Sequence, residues 1–478
     1  MSKKFTKIVA SVSDLRCEVD FIQQLYDEGV NVVRMNSAHL QYDGAIKIVN
    51  NVRQVSNKIA LLMDTKGPEV RTTSTQDDSS IELKTGDIIR IVGNPDQLSS
   101  KECVAVSYTR FVNDLKVGDD ILFDDGEIEL KVEEKGEDFL LCRAQNDGVL
   151  GSRKSVNVPG VRINLPSLTE KDRKYILFAI EHKLDFIAHS FVRNKEDLLD
   201  IQQILDEHNS QIKIISKIEN QEGIDNIDEI LQHCYGVMIA RGDLGIEVPQ
   251  EKIPGIQRRL IKKCVMAKKP VIVATQMLHS MIKNPRPTRA EVTDIANAIY
   301  YRTDALMLSG ETAFGKYPIE AVRTMAKIAK EAEQTKMPEN DIPIPIENND
   351  TTAFLANAAV EACTKIGIKA IINDSISGST SRCLSAYRAD KPIFAFCYHE
   401  RTMRELALSY GVFPEYRTRS KNSQEYLHEG LKELLESGFL KSDDFVCTLS
   451  GRFDSGLGTT LMDINRVDRL LAEIGCDC

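Results

Sequence analysis

The feature that most constrains this chain is a rhythm. Short apolar runs rich in β-branched residues recur, and an amphipathic stretch follows most of them. In order the runs are TKIVASV (6–12), VNVVRMN (30–36), IALLMDT (59–65), LDFIAHSF (184–191), IKIISKIE (212–219), YGVMIARGD (235–243), KPVIVATQ (269–276) and TDALMLSGE (303–311). The stretch DLRCEVDFIQQLYDEG reads as a helix closed by a glycine. Strands apolar along their whole length are covered on both faces, and strands alternating with helices form a parallel sheet. Eight such units predict an α/β fold built on a closed (β/α)8 TIM barrel, with an open doubly wound sheet as the competing arrangement.

The rhythm breaks once, between MDTKGPEVRT and LDFIAHSF. That gap far exceeds an ordinary connection. It holds short strands such as DIIRIVG, ECVAVSY, DDILFDD and DFLLCRAQ, separated by Gly and Asp turns. It predicts a small β-barrel lid over residues 73–155, inserted into a barrel made of residues 1–72 and 156–338. MPENDIPIPIENND reads as a linker. Fresh βα alternation then predicts a C-terminal α/β domain over 350–478.

Composition excludes several classes. A net charge of −10 argues against a nucleic-acid partner. No apolar run reaches the roughly 18 residues of a membrane span, and MSKKFTKIVA carries no apolar signal-peptide core. Eleven scattered cysteines without a CxxC pair fit free thiols in a reducing cytoplasm, and the terminal CDC reads as an exposed tail.

In a TIM barrel the chemistry sits where the strands end. The predicted strand ends carry Arg34 with Asn36, Asp64 with Thr65, Ser190, Lys217 with Glu219, Arg241 with Asp243, Thr275, and Ser309 with Glu311. Lys217 and Glu219 share one face of their strand, because side chains alternate. Read alone, they make an ion pair at a sheet end. Read with the other strands, Glu219 and Asp243 are two hard carboxylates suited to magnesium or manganese. Lys217 and Arg34 beside them suit an anionic substrate, and phosphoryl transfer is the leading chemistry. ARGDLG turns at two glycines and offers backbone N–H groups to a carboxylate or phosphate. The chain has no P-loop and no protein-kinase glycine loop.

Five segments, MDTKGPEVRT, IISKIENQEG, VMIARGDLGIE, VIVATQMLHSMIKNPRPTRAEVTDIANAI and LMLSGETAFGKYP, make the chain resemble the pyruvate kinase family along essentially its whole length. The resemblance implies transfer of the phosphoryl group of phosphoenolpyruvate to ADP, giving ATP and pyruvate. It implies that Glu219 and Asp243 hold magnesium, that Lys217 and Arg34 contact the moving phosphoryl, and that Ala240, Arg241 and Gly242 form the substrate pocket. Thr275, with Ser309 and Glu311, would serve proton delivery. Asn36, His39, Arg71 and Lys154 would face the nucleotide. Asn36, Asp64 and Thr65 would hold potassium. Ser375, Ser377, Gly378, Ser379 and Thr380 match a loop that takes a sugar-phosphate effector, with SGRFDSGLGTT (450–460) as a second wall. A cytoplasmic homotetramer is the implied form.

The chain departs from the family at three places. RMNSAHL puts Ala38 where the family has a potassium-binding serine, while Glu69 is the residue that accompanies potassium dependence; potassium is expected to activate with weakened affinity. ASVSD replaces a Gly-Pro turn, so Ser13 or Asp14 is expected to cap the next helix. His189 replaces a small residue and is expected to face the helices in a structural role. The competing functions are a metal-dependent aldolase or lyase acting on a pyruvate enolate, and a catalytically silent regulatory protein; the β insertion, Lys154 and Lys217 count against the first, the intact Lys217, Glu219, Asp243 and Thr275 against the second.

Overall fold

Eight parallel strands close on themselves in the computed structural model, which describes residues 4–418, 425–451 and 458–475. They are β1 (Lys7–Ser11), β2 (Val32–Asn36), β3 (Ala60–Asp64), β4 (Phe186–His189), β5 (Lys213–Ile218), β6 (Gly236–Ala240), β7 (Val271–Ala274) and β8 (Ala305–Leu308). Each lies inside one of the eight apolar runs. β8 returns to pair with β1, Lys7 opposite Ala305, which closes the barrel.

Alternation along the strands divides the apolar residues into two cores. Val9, Val32, Leu62, Phe186, Ile215, Met238, Ile272 and Met307 fill the barrel interior. Their neighbours Ile8, Val33, Leu61, Ile187, Ile214, Val237, Val273 and Leu306 face the surrounding helices. Ala407 and Leu408 from the C-terminal unit join the interior cluster.

The first helix runs Val19–Asp27 and starts later than its sequence pattern. Neither Ser13 nor Asp14 caps it: Glu18 stands at the N-cap without a side-chain bond, and Ser13 Oγ instead donates to the Ala313 carbonyl at 2.8 Å.

Between β3 and β4 the chain builds a seven-stranded sheet and a separate two-stranded one around their own apolar cluster. The sheet takes in Val70–Arg71 and Ser155–Asn157, the segments that enter and leave it, and these pair with each other antiparallel. After the barrel, the helix Thr351–Lys365 leads into a five-stranded sheet of β9 (Ala370–Ser375), β10 (Ile393–Cys397), β11 (Val412–Tyr416), β12 (Phe445–Ser450) and β13 (Leu461–Arg466). Only β13 runs antiparallel to its neighbour. Residues 476–478, with the cysteines of the CDC tail, lie outside the described residues.

One glycine fixes how closely the loop after β5 packs. A Cβ on Gly223 would sit 2.4 Å from the Val192 carbonyl oxygen. Backbone must move to admit it, so Gly223→Ala is expected to cost about 1–3 kcal/mol, the usual range for overpacking, read as a lowered midpoint in denaturant unfolding with an unchanged slope.

Candidate active site

Five neighbouring strands place charged and hydroxyl side chains in one contiguous network at their C-terminal ends. Lys217 Nζ lies 3.1 Å from Asp64 Oδ1 and 3.0 Å from Glu219 Oε1. It also donates to Ser190 Oγ at 2.7 Å. Arg34 meets Asp64 Oδ2 at 2.6 Å and donates to Ser11 Oγ at 2.8 Å. Ser190 Oγ donates to the Thr65 carbonyl at 2.6 Å. Asp64 and Glu219 are fully buried, and Lys217 and Arg34 are nearly so.

Burial and charge compete at each ionisable group. Burial pushes Asp64 up, but the Arg34 and Lys217 charges override it and hold the carboxyl below its usual range. Burial pushes Lys217 down, but Asp64 and Glu219 override it and hold the ammonium firmly charged. Glu219 goes the other way. Burial, with Asp243 and Asp64 adding repulsion, raises it to about 7 despite Lys217 and an N–H donated by Phe191 at 2.7 Å. Its Oε1 accepts no aligned hydrogen bond among the described residues. A buried carboxylate short of donors, with Asp243 close enough to disfavour its charge, fits a divalent cation of magnesium or manganese type. Among the described residues no three His, Cys, Asp or Glu cluster as a metal cage; two carboxylates leave the remaining positions to substrate and water.

Arg241 turns away from the mouth. Its guanidinium pairs with Asp294 at 2.7 Å and donates to the Thr275 carbonyl at 2.7 Å. What the ARGDLG segment offers is backbone: the Gly242 N–H donates to Thr275 Oγ1 at 2.8 Å, at the start of the helix Arg241–Glu247, for which Ala240 is the N-cap. Thr275 and Gln276 both hold positive φ, 67° and 57°. β-branched Thr275 is strained there, as residues held by a functional site often are. Glu311 is buried and accepts from the Ser309 and Leu278 N–H groups at 2.8 and 3.1 Å, tying together the loops after β7 and β8.

The other candidates are spread more widely. Asn36 Oδ1 accepts from the Ala38 N–H at 3.1 Å, and His39 is exposed on the same turn. Ser37 is fully buried, and its Oγ has no hydrogen-bond partner among the described residues. Arg71 and Lys154 stand together on the lid hinge: Arg71 pairs with Glu69 at 2.8 Å and Lys154 with Asp124 at 2.6 Å. A cleft of about 430 Å³ lies between this hinge and the loops after β4 and β5. His189 is buried, its Nδ1 3.5 Å from Thr65 Oγ1, and burial pushes it down to about 4, so it is a neutral part of the wall. Far from the mouth, Ser375 Oγ accepts from the Gly378 N–H at 3.0 Å and Thr380 meets Thr459 at 2.6 Å, while Ser377 and Ser379 are exposed. Residues 452–457 of the proposed second wall lie outside the described residues.

Sequence reasoning missed Ser11, Asp294 and the Phe191 N–H. Asp294 was within reach, since it sits in the long TRAEVTDIANAI segment, but no spacing rule ties it to Arg241. Phe191 acts through its backbone and leaves no side-chain signal.

Charge balanced in this way on a lid-bearing barrel suits transfer of an anionic group such as phosphoryl. Residues 3–322 match the family model for the pyruvate kinase barrel domain, and residues 354–464 that for the pyruvate kinase alpha/beta domain. The pyruvate kinase of Borreliella burgdorferi is 48% identical, over 98% of both chains. That of Geobacillus stearothermophilus is 41% identical, over 98% of this chain and 82% of its own. The crystal structure of a pyruvate kinase from Cryptosporidium parvum superposes with a TM-score of 0.91 at 35% identity, covering 97% of this chain and 96% of its own. The chain belongs to the pyruvate kinase family.

The raised Glu219 predicts a pH dependence. A metal must find it ionised, so affinity is full above its folded pKa of about 7 and falls as pH drops through that value. Manganese binding followed by electron paramagnetic resonance should weaken by about tenfold for each pH unit below 7, as one-proton linkage requires. Glu219→Gln should bind weakly at every pH and lose that slope.

Proposed function

We propose that this chain transfers the phosphoryl group of phosphoenolpyruvate to ADP, releasing pyruvate and ATP. The carrying observation is Lys217, buried and fully charged between Asp64 and Glu219 at the barrel mouth. A compact ammonium can follow a phosphoryl group as it moves. Arg34, fixed by Asp64 and Ser11, presents a second positive charge to the phosphate. Glu219 and Asp243 would hold a divalent cation, which would supply further charge neutralisation to the transferring group. The Gly242 N–H and the segment from Ala240 form one wall of the substrate pocket. Thr275 is the residue we assign to delivering a proton to the enolate left by the transfer, with Ser309 and Glu311 fixing the loops around it. Arg71 and Lys154 ride on the lid hinge, so lid closure carries them toward the nucleotide, whose other contacts are Asn36 and His39.

The potassium reading rests on Asn36, Asp64 and the Thr65 carbonyl. Each of these oxygens already accepts a hydrogen bond or ion pair, and Ala38 adds none. Potassium is therefore expected to activate with weakened affinity. The family resemblance also supports a cytoplasmic homotetramer with a sugar-phosphate effector on Ser375, Ser377, Gly378, Ser379 and Thr380.

Steady-state pyruvate formation with magnesium, with and without potassium, tests the reading. The native chain should turn over, faster with potassium, and Lys217→Met should lower kcat by at least about 10²–10³, the scale of losing one preorganised charge in a dry site. Ala38→Ser should lower the potassium concentration needed for half activation. No pyruvate from folded native chain under any cation condition would sink the assignment.

A further inference from the structure

The opposite end of the barrel holds a second concentration of positive charge, and it is not balanced. A cleft of about 830 Å³ opens between the N-terminal ends of β5, β6 and β7 and the C-terminal unit. Lys213, Lys268, Lys269 and Arg382 line it, with Asp350 as the acidic residue of the lining. Asp350 is committed to Lys268 at 2.8 Å. Glu405 lies 3.9 Å from Lys213 but 2.8 Å from Arg401, its closer partner. Lys269 donates to the Cys234 carbonyl, and Arg382 to the Ser377 carbonyl at 3.0 Å, and neither meets a carboxylate among the described residues. Three cations thus face one void in a chain whose net charge is −10.

These groups are not an ordinary solvated fringe. Burial pulls both Lys213 and Lys269 below the usual lysine range; Glu405 opposes it at Lys213 while Arg401 and Arg382 add to it, and at Lys269 Cys234 opposes it while Arg382 adds to it. Like charges gathered in a partly dry cleft oppose folding unless something negative joins them. One helix start reinforces the field: Ser379 opens the helix Ser379–Ala386, which has no side-chain cap, and lines the cleft. Helix N-termini carry partial positive charge and free N–H groups. The Arg382 guanidinium lies over the Tyr235 ring at 5.3 Å, which holds its plane at the cleft wall.

We propose that this cleft is a binding site for a small phosphate-bearing anion, gripped from the barrel side by Lys213 and Lys269 and from the C-terminal unit by Arg382. The void is of the size that small-molecule sites occupy. The site is separate from the mouth, and of the proposed effector loop only Ser379 reaches it. A bound anion bridges the two units and relieves the repulsion among the three cations.

Pyrophosphate and inorganic phosphate, titrated calorimetrically into the metal-free chain at constant ionic strength, test this. Lys213→Gln and Lys269→Gln should each weaken pyrophosphate binding by about tenfold or more, the scale of one charge-assisted contact. Thr380→Ala, in the effector loop, should leave it unchanged, and the weakening by Lys213→Gln and Lys269→Gln should persist in a Lys217→Met background, where the mouth has lost its own hold on phosphate. Without ligand, both glutamine variants should melt at or above the native temperature, since repulsion is removed. Gln232→Glu, at an exposed position of the lining, should weaken binding without touching the fold. Unchanged affinity in both lysine variants and Gln232→Glu, loss confined to Thr380→Ala, or a lysine effect that vanishes in the Lys217→Met background would overturn the proposal.

Discussion

The architecture of the mouth depends on cancelling charge in a place without water. Asp64 and Glu219 are fully buried carboxylates, and either one unpaired would cost several kcal/mol. Arg34 and Lys217 match them two against two. This works because β2, β3, β4 and β5 are consecutive in the barrel, so their side chains stand one strand spacing apart, about 4.8 Å. The register supplies the rest: Asn36 lies opposite Asp64 and Ala188 opposite Asp64 on its other side. A barrel strand shifted by one residue would turn its charged group into the helices. The buried charge cluster is therefore also a lock on the register.

Much of this was legible in the chain, and the reasons are particular. The eight barrel strands are buried on both faces, so each announces itself as an unbroken apolar run. Ile128–Lys135, the longest strand of the inserted sheet, gives a weaker signal, because IELKVEEK buries only alternate residues of its first half and carries charge on the others. β11 contains Pro414, and β13 reads LMDINR, so neither shows the apolar signature of its neighbours. At the mouth, alternation alone put Lys217 and Glu219 on one face. It could not show that Asp64 would be the closer tie for Arg34 as well as a partner of Lys217, because that needs strand neighbours and register. Nor could it show Arg241 turning outward to Asp294, or Glu311 spending its carboxylate on two backbone N–H groups. A side chain's type is written in the sequence; its direction at a strand end is set by what the adjacent loop leaves unsatisfied.

The two ends of the barrel solve opposite problems with similar groups. At the mouth, cations and carboxylates are paired, though Glu219 Oε1, 3.0 Å from Lys217, accepts no aligned hydrogen bond among the described residues. At the base, Lys213, Lys269 and Arg382 crowd together without enough acid. Both arrangements leave an electrostatic deficit in a defined place, one calling for a cation and the other for an anion. The C-terminal unit is party to the second, and it also plugs the barrel floor with Ala407 and Leu408. Its position is thus written into the barrel's core as well as into the charge at its rim.

The pairing of β1 with β8 has a consequence for how the chain is made. During synthesis Lys7 must wait for Ala305 before its strand has a second neighbour. The inserted sheet has its entry and exit strands and its own apolar cluster once the chain has reached Val158. Its contacts are therefore complete in sequence while the barrel still lacks five of its strands and keeps a strand edge unpaired. The segment that arrives last in the barrel, ALML of β8, is what ends that exposure.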